Sequence, residues 1–554
     1  MLTQTVLLFL ISILYLIEWL FSKRKEGHII RYRSKINTNA SLVSMGYNTF
    51  PLGKLECIIA LVISFALSIS FAYFTGILKS GFHLVDDHET LGILKNIDSY
   101  GLAEALRIRL SADLYGRFRP TYCVIRVLQT YFFRSDYYAW HMMYAMITAL
   151  ILYMGYIYAR IRGVYIWMAY VEAVAVYIGG GQSAVMWRLG PQEGLGLLIF
   201  MITVMCLRWY RRKRSVFSFI VLTVLTILLG GAKEAFLVLI PCLPAMLTVW
   251  DIEERESDTA MSVRRALYHN MGYICVTIAV CLTDVLFIVF GINTDYIDNQ
   301  YLGEAAASFG LYDYIRGIGA SVLRGFLPYF IIFIAANVIF IIQLCKSYRD
   351  SGRFHLLTHL FMFLTADVMV AIQIVMYSKY HMRERYIIPS SLLVSALWYV
   401  GAFRLLREEH SAGIYRIYKV LSVVFAGMLL LIKYDNSSNQ YLYPGETDQD
   451  MALSYAADGS NITAALNYLG DMADGREVCI SMYGEHAASA STYLNHFYDM
   501  GDNILISDPD ETVYSDDILY LGYTEDMMSM TDDRGMAIDT SRIHQYGDYT
   551  VIAR

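Results

Sequence analysis

The sequence predicts an all-α polytopic membrane bundle of about twelve transmembrane helices, followed by a small C-terminal α/β or α+β domain. Of the 554 residues, 56% are hydrophobic and 17% are charged, whereas soluble domains contain about 25% charged residues. Mean hydropathy is +0.42. Residues 435–554 contain 22 acidic side chains against 4 arginines and no lysine, a net charge of −18, so the total of −6 leaves +12 on residues 1–434.

This composition excludes an ordinary soluble enzyme and a disordered chain. The net negative charge gives no basic surface for nucleic acid, so we expect no nucleic-acid partner. Of the 8 cysteines, Cys479 alone lies in the acidic tail, residues 435–554, which therefore cannot form an internal disulfide. The cysteine and histidine spacing contains no zinc or haem motif.

The predicted spans are apolar segments of about 20 residues, the length needed to cross a bilayer. The first is too long for a signal peptide's apolar region and has no small-residue cleavage site, which indicates a retained extra helix. Residues 1–54 therefore form an N-terminal helix and basic loop, and residues 55–434 form the main membrane domain. The spans lie near residues 4–22, 55–76, 138–159, 164–180, 194–208, 215–231, 234–250, 270–291, 325–344, 356–377, 386–404 and 420–433.

Basic clusters recur at every second connection, which predicts that these loops are cytoplasmic. The alternate loops, including residues 77–137 and 181–193 and the tail, then face outward. We therefore expect a multi-pass plasma membrane protein with an extracytoplasmic tail. Within the tail, short apolar runs such as residues 477–482 alternate with helical stretches such as residues 487–497, a pattern typical of a small α/β or α+β domain.

The longest outward loop, residues 77–137, contains the densest polar cluster. Asp86 and Asp87 come first, in VDDHE, and Arg117 and Arg119 follow in GRFRP. A partly desolvated carboxylate gains basicity, and two guanidinium groups can bind a phosphate bidentately. Two simpler interpretations stay open: the acids can cap the helix that follows, and the arginines can anchor the loop to anionic lipid.

This order of features resembles the GT-C glycosyltransferase superfamily, over roughly residues 55–430. The shared features are a span entering a long outward loop, an acidic pair at its start, the GRFRP segment and an amphipathic stretch at residues 121–133. More narrowly, the chain is similar to bacterial relatives of protein O-mannosyltransferases and lipid A aminoarabinose transferases. The resemblance implies a GT-C-like bundle that binds a polyprenyl-phosphate-linked sugar at its outer face, with Asp86 or Asp87 as general base. DDHE departs from the family's Asp-Glu and Glu-x-Asp patterns, so the identity of the base and a role for a divalent metal ion stay open.

The resemblance also implies further substrate contacts at the outer face. Lys233 and Glu234 form an outer turn similar to a Lys-Glu turn of bacterial relatives, although an ion pair that closes the turn is the simpler alternative. Arg383, Arg385 and Tyr386 open the eleventh span in a segment that resembles an Arg-Tyr-x-x-Pro motif. Arg385 is expected at the phosphate, with a helix-start anchor as the alternative.

Two classes of function fit these features. The first is a glycosyltransferase that moves a sugar from a polyprenyl-phosphate donor to an extracytoplasmic glycan, lipid or protein. The alternative is a transporter, flippase or polymerase of lipid-linked saccharides, which would favour charges or broken helices at mid-span. Most ionisable residues lie at span ends, which favours the transferase. A membrane anchor for a binding tail ranks last.

Overall fold

The computed structural model is mostly helical and ends in a small sheet. It describes residues 53–84, 87–161, 169–170, 173–174, 183–253, 259–290, 310–351, 357–377, 384–398, 412–431, 434–435, 440–441, 448–512, 514–531, 535 and 537–553. The described helices are α1 (Lys54–Phe74), α2 (Glu89–Tyr100), α3 (Leu102–Gly116), α4 (Pro120–Phe133), α5 (Tyr137–Ile161), α6 (Ser183–Met186), α7 (Glu193–Lys213), α8 (Val216–Gly230), α9 (Cys242–Glu253), α10 (Thr259–His269), α11 (Met271–Phe290), α12 (Leu311–Ala320), α13 (Leu327–Ser351), α14 (Leu357–Tyr377), α15 (Glu384–Ala396), α16 (Ala412–Leu431), α17 (Asp448–Ala473), α18 (Gly484–Tyr498) and α19 (Thr524–Met527).

Within the described residues, 7 helices are long and apolar enough to cross a membrane. They coincide with predicted spans, whereas the segments near 215–231 and 420–433 are shorter apolar helices. The first predicted span lies outside the described residues, as does most of the span near 164–180. The total of twelve spans stays a prediction.

The span predicted at 234–250 is not one α-helix. It begins as a 3-10 helix, Glu234–Leu239, and continues as α9. Pro241 precedes α9 and Pro244 lies in its first turn. Proline lacks an N–H and blocks the preceding turn of an α-helix, which explains the change of helix type.

Helix α1 packs against α5 through a row of small residues. Its buried positions are Ala60, Ser64, Ser68 and Ala72, four residues apart, so they form one stripe. Small side chains let helix backbones approach closely, and Ser68 Oγ donates a hydrogen bond of 2.7 Å to the Ala145 carbonyl on α5.

The prediction of a small α/β or α+β domain in the tail is confirmed in its coarse form, because the tail contains a 5-stranded sheet. The strands β3 (Val478–Ser481), β4 (Ile504–Ser507) and β5 (Leu519–Tyr523) are parallel to one another, and β6 (Ile543–Tyr546) and β7 (Tyr549–Ile552) add an antiparallel hairpin. The order across the sheet is β4-β3-β5-β7-β6. Two short strands, β1 (Tyr434–Asp435) and β2 (Gln440–Tyr441), pair separately before the tail's first helix.

The tail shares an apolar core with residues 77–137, the loop predicted to face outward, and with the start of α5. Phe82, Leu91 and Trp140 belong to the same buried cluster as Ile462 and Leu466 of α17. Apolar burial is the dominant favourable term in association, so this continuous core holds the tail against the segment that precedes α2. The segments predicted to share the outer face therefore contact one another.

Candidate functional site

The outward loop, two turns of the bundle and the tail enclose a polar cavity of about 1010 Å³, here called the loop cavity. Its walls come from α2, α3, the turn before α4, residues 190–193, Lys233 and α18. Gly101 joins α2 to α3 with φ 81°, a left-handed conformation that favours glycine, and so lets the two helices fold back on each other.

The turn before α4 is joined to the turn at residue 231. The backbone N–H of Thr121 donates to the Gly231 carbonyl at 2.9 Å. A Cβ at Gly231 would lie 2.6 Å from Thr121 Oγ1, so the close approach requires glycine. This contact places Arg117, Arg119 and Lys233 on the walls of one cavity.

Asp87 does not cap α2, so the capping interpretation is wrong for this residue. The N-cap is His88, which makes no side-chain cap bond. The Asp87 side chain instead accepts hydrogen bonds from the Tyr455 hydroxyl at 2.8 Å and the His83 backbone N–H at 3.1 Å. Burial raises the pKa of Tyr455, with the nearby Asp87 carboxylate as the next cause, so the phenol stays a donor at neutral pH. The tail thus holds the Asp87 side chain in place. Asp86, the other acid of the predicted pair, lies outside the described residues.

Arg119 is buried in an ion pair instead of at the lipid surface, so the interfacial-anchor interpretation is wrong for it. Its guanidinium forms a two-pronged contact with Asp113, one prong being Nε to Oδ2 at 3.1 Å. Burial opposes the charge, but Asp113 raises the pKa of Arg119 above its ordinary value and keeps it cationic. Arg109 extends the cluster, because it pairs with Glu89 and lies 3.7 Å from Asp113.

Lys233 pairs with Glu193 of α7, and Glu234 contacts a different segment. Lys233 is 4% exposed and Glu193 is fully buried. Lys233 Nζ also lies 4.5 Å from the ring centroid of Tyr386, which fits a cation–π contact. Glu234 Oε1 accepts a hydrogen bond of 3.3 Å from the Phe118 backbone N–H, within the GRFRP segment.

We expect Lys233→Met to lower the free energy of unfolding by about 3–5 kcal/mol, because it removes the cation that pairs with the buried Glu193 carboxylate. The double variant with Glu193→Leu should recover most of this loss. Arg134→Met breaks the exposed pair with Asp98 and should cost less than about 1 kcal/mol. Thermal unfolding in detergent measures the stability of all three variants. Equal losses of stability in Lys233→Met and Arg134→Met would contradict the burial of the Lys233–Glu193 pair.

The remaining predicted residues divide into three groups. Arg117 lines the loop cavity. Arg383 lies outside the described residues, and Arg385 belongs to α15 with a side chain that is outside them as well. Tyr386 is buried beneath Lys233. The structure therefore brings Arg117, Arg119, Lys233, Glu234 and Tyr386 together, whereas Asp87 lines a second cavity.

His88 is a buried imidazole that the sequence did not mark as a site residue. Its Nδ1 lies 2.9 Å from the Ser489 carbonyl of α18, which requires a proton on Nδ1. No described residue makes a hydrogen bond with Nε2, and His88 lines the loop cavity. Burial lowers the pKa of His88 from 6.5 to about 4, so the ring is neutral at pH 7.

This burial makes stability depend on pH. Between pH 6.5 and about 4, the unfolded chain binds a proton at His88 that the folded chain excludes, so stability falls as the pH falls through this window. The full loss is about 3 kcal/mol. We expect His88→Gln to flatten the melting temperature profile between pH 6.5 and 4.5, whereas the exposed His269→Gln should leave it unchanged. Parallel melting temperature profiles for wild type and His88→Gln would contradict the lowered pKa of His88.

A second polar cavity of about 300 Å³, here called the tail cavity, lies between the outward loop and the tail. Asp87 and His83 line it from the loop, Arg188 from a turn, and Tyr455 and Asp458 from α17. The rings of His83 and Tyr455 stack at 3.4 Å with an angle of 4°. Asp87 faces this cavity, while the next two residues, His88 and Glu89, line the loop cavity.

Sequence reasoning missed Arg109, Asp113 and the tail's share of both cavities. Asp113 and Arg119 are six residues apart on either side of a helix end, a spacing that carries no local signal. Among the described residues, no group of three or more His, Cys, Asp or Glu side chains is arranged to hold a metal ion, so we derive no step through a metal.

Comparison of the chain with models of known protein families and with curated proteins finds no match.

Proposed function

We propose that the protein is a glycosyltransferase that moves a sugar from a polyprenyl-phosphate-linked donor to a hydroxyl group of an extracytoplasmic acceptor. The observation that carries the proposal is the loop cavity, where several cations meet beside the segment that holds the buried Asp87 carboxylate. GT-C resemblance and outward sidedness remain predictions that are consistent with this arrangement.

The loop cavity has room for the donor head group and contains cations that can contact its phosphate. Its volume of about 1010 Å³ is at the upper end of small-molecule sites, which span about 300–1,000 Å³. Five cations line it against four carboxylates, so its lining has a small positive excess: Lys95, Arg109, Arg117, Arg119 and Lys233 against Glu89, Asp113, Glu193 and Glu485. Cations that the protein already holds in place can stabilise a departing phosphate without further reorganisation.

The chemical step needs one base. The acceptor oxygen forms the bond to the anomeric carbon, the bond from that carbon to the phosphate oxygen breaks, and the phosphate keeps the electron pair. The hydroxyl proton passes to Asp87, whose second oxygen, Oδ1, accepts no hydrogen bond from a described residue. A phosphate leaving group needs no proton, so a second carboxylic acid is unnecessary.

The test uses the full-length protein in lipid vesicles with a panel of radiolabelled polyprenyl-phosphate sugars and total cell-envelope material. We expect label to move from the lipid to an acceptor, and Arg117→Gln to raise the donor KM. A matched exposed substitution, Lys213→Gln at the other end of α7, should leave the KM unchanged. If the protein is folded and label stays on every donor that is offered, the proposal is contradicted.

A flippase or polymerase of lipid-linked saccharides is the second function, favoured by two carboxylates within spans. Asp284 on α11 is buried, and its Oδ2 has no described hydrogen-bond partner. Asp367 on α14 accepts a hydrogen bond of 3.1 Å from Asn337. Intramembrane carboxylates often mark ion or proton pathways. Loss of lipid movement in Asp284→Asn or Asp367→Asn, without any transfer, would support this function.

A further inference from the structure

We infer that the tail cavity binds the acceptor, and that the acceptor presents a neutral, polyhydroxylated saccharide end to Asp87. This inference rests on the proposed function, because it names the second substrate of the same reaction. It assigns substrate recognition to the acidic tail.

The position of Asp87 indicates where the acceptor binds. A general base must lie within hydrogen-bond distance of the hydroxyl that it deprotonates. Asp87 lines the tail cavity, whereas His88 and Glu89 line the loop cavity. Consecutive residues of one segment thus contact both cavities, and the acceptor hydroxyl belongs on the side where the carboxylate is.

The lining indicates the class of ligand. Asp87, Asp458 and Asp548 supply carboxylates, and Arg188 supplies a guanidinium. Burial opposes the charge of Asp458, but hydrogen bonds from His83 and Tyr549 hold its pKa below the ordinary value, so it stays an acceptor. An anion would meet the three carboxylates, and a cation would meet Arg188. Sugar hydroxyls both donate and accept, so an uncharged sugar matches both kinds of group.

The size and apolar content of the cavity exclude a lipid chain. A volume of about 300 Å³ is at the lower end of small-molecule sites. Leu84 and Met451 are the purely aliphatic side chains among the described lining residues. A saccharide end is small and polar, so it fits where an acyl chain would lack apolar partners.

The walls are already held in place. Asp458 joins His83 of the loop at 3.0 Å to Tyr549 of the hairpin at 2.8 Å. The stacked His83 and Tyr455 rings add a second link between the loop and the tail. A site whose side chains are fixed before binding spends little free energy on ordering, which favours specific recognition.

The test fills the tail cavity without altering the loop cavity. Ser454 lies exposed on α17 and lines the tail cavity, and Ser460 lies exposed on the same helix outside it. With vesicle-reconstituted full-length protein, we expect Ser454→Trp to raise the acceptor KM at least tenfold, with the donor KM unchanged because the donor binds in the loop cavity. Ser460→Trp should behave as wild type. Asp548→Asn, which keeps the cavity open, should raise the acceptor KM severalfold, whereas Asp502→Asn on the tail surface should not.

The acceptor class is tested with oligosaccharides that end in a neutral hexose, a hexuronic acid or an amino sugar. We expect label to be transferred fastest to the oligosaccharide that ends in a neutral hexose. Preference for either charged ending, an unchanged acceptor KM in Ser454→Trp and Asp548→Asn, or a parallel rise of the donor KM in these variants would overturn the inference. A wild type that transfers no label to any acceptor would instead contradict the proposed function.

Discussion

Replacing Asp87 with asparagine should reduce transfer by about 10²–10⁴-fold, the usual contribution of a general base. Asparagine has nearly the same shape and its carbonyl oxygen can still accept the hydrogen bond from Tyr455, so the fold should change little. The loss should therefore appear in kcat more than in the KM of either substrate. Initial rates of label transfer at matched protein levels measure it.

Asp98→Asn is the matched control, because Asp98 lies on the same loop in an exposed pair with Arg134. It should retain nearly full activity. Full activity in Asp87→Asn would show that Asp87 is not the base, and a loss of activity in Asp86→Asn alone would assign that role to the neighbouring acid.

Substitution of Gly459 by valine should reduce transfer on the order of 10²-fold, because it displaces the segment that carries Asp87. Gly459 lies on α17, where a Cβ would be 2.7 Å from the Ser80 carbonyl oxygen and 2.8 Å from His83 Cδ2. These distances are below those of ordinary contacts, and backbone atoms cannot yield as a side-chain end can. The helix and the loop must then separate.

Ala457→Val is the control for Gly459→Val, because residue 457 is exposed on the same helix. It introduces the same valine with no neighbour to displace, so activity and melting temperature should stay near wild type. Equal activities in both variants would mean that the contact between tail and loop does not position Asp87.

The sequence was most informative where one physical signal dominates. Apolar segments of bilayer length located the spans, and α1 and α11 are helices close to where hydropathy placed them. Short apolar runs at residues 477–482, 503–506, 518–521 and 549–553 predicted β3, β4, β5 and β7. They missed β6, whose sequence IHQY contains two polar residues and is half-buried. Its pairing with β7 depends on the hairpin more than on local pattern.

The site was predictable in composition but not in pairing. The residue types at Asp87, Arg117 and Lys233 pointed to a phosphate-binding outer face. Which charges neutralise one another was not predictable, because the partners are distant or carry no motif: Lys233 pairs with Glu193, 40 residues away. Tyr455 reaches Asp87 across 368 residues. Such contacts depend on how the tail folds onto the loop, which no local pattern specifies.

Transfer by the proposed enzyme can be measured in sealed vesicles that contain the full-length protein and a labelled polyprenyl-phosphate sugar, with a neutral oligosaccharide on one side. We expect the label to leave the lipid and appear on the oligosaccharide in wild type, and Asp87→Asn to abolish this transfer. Label that crosses the bilayer but stays on its lipid, at equal rates in wild type and Asp87→Asn, would rule out the glycosyltransferase and favour a flippase.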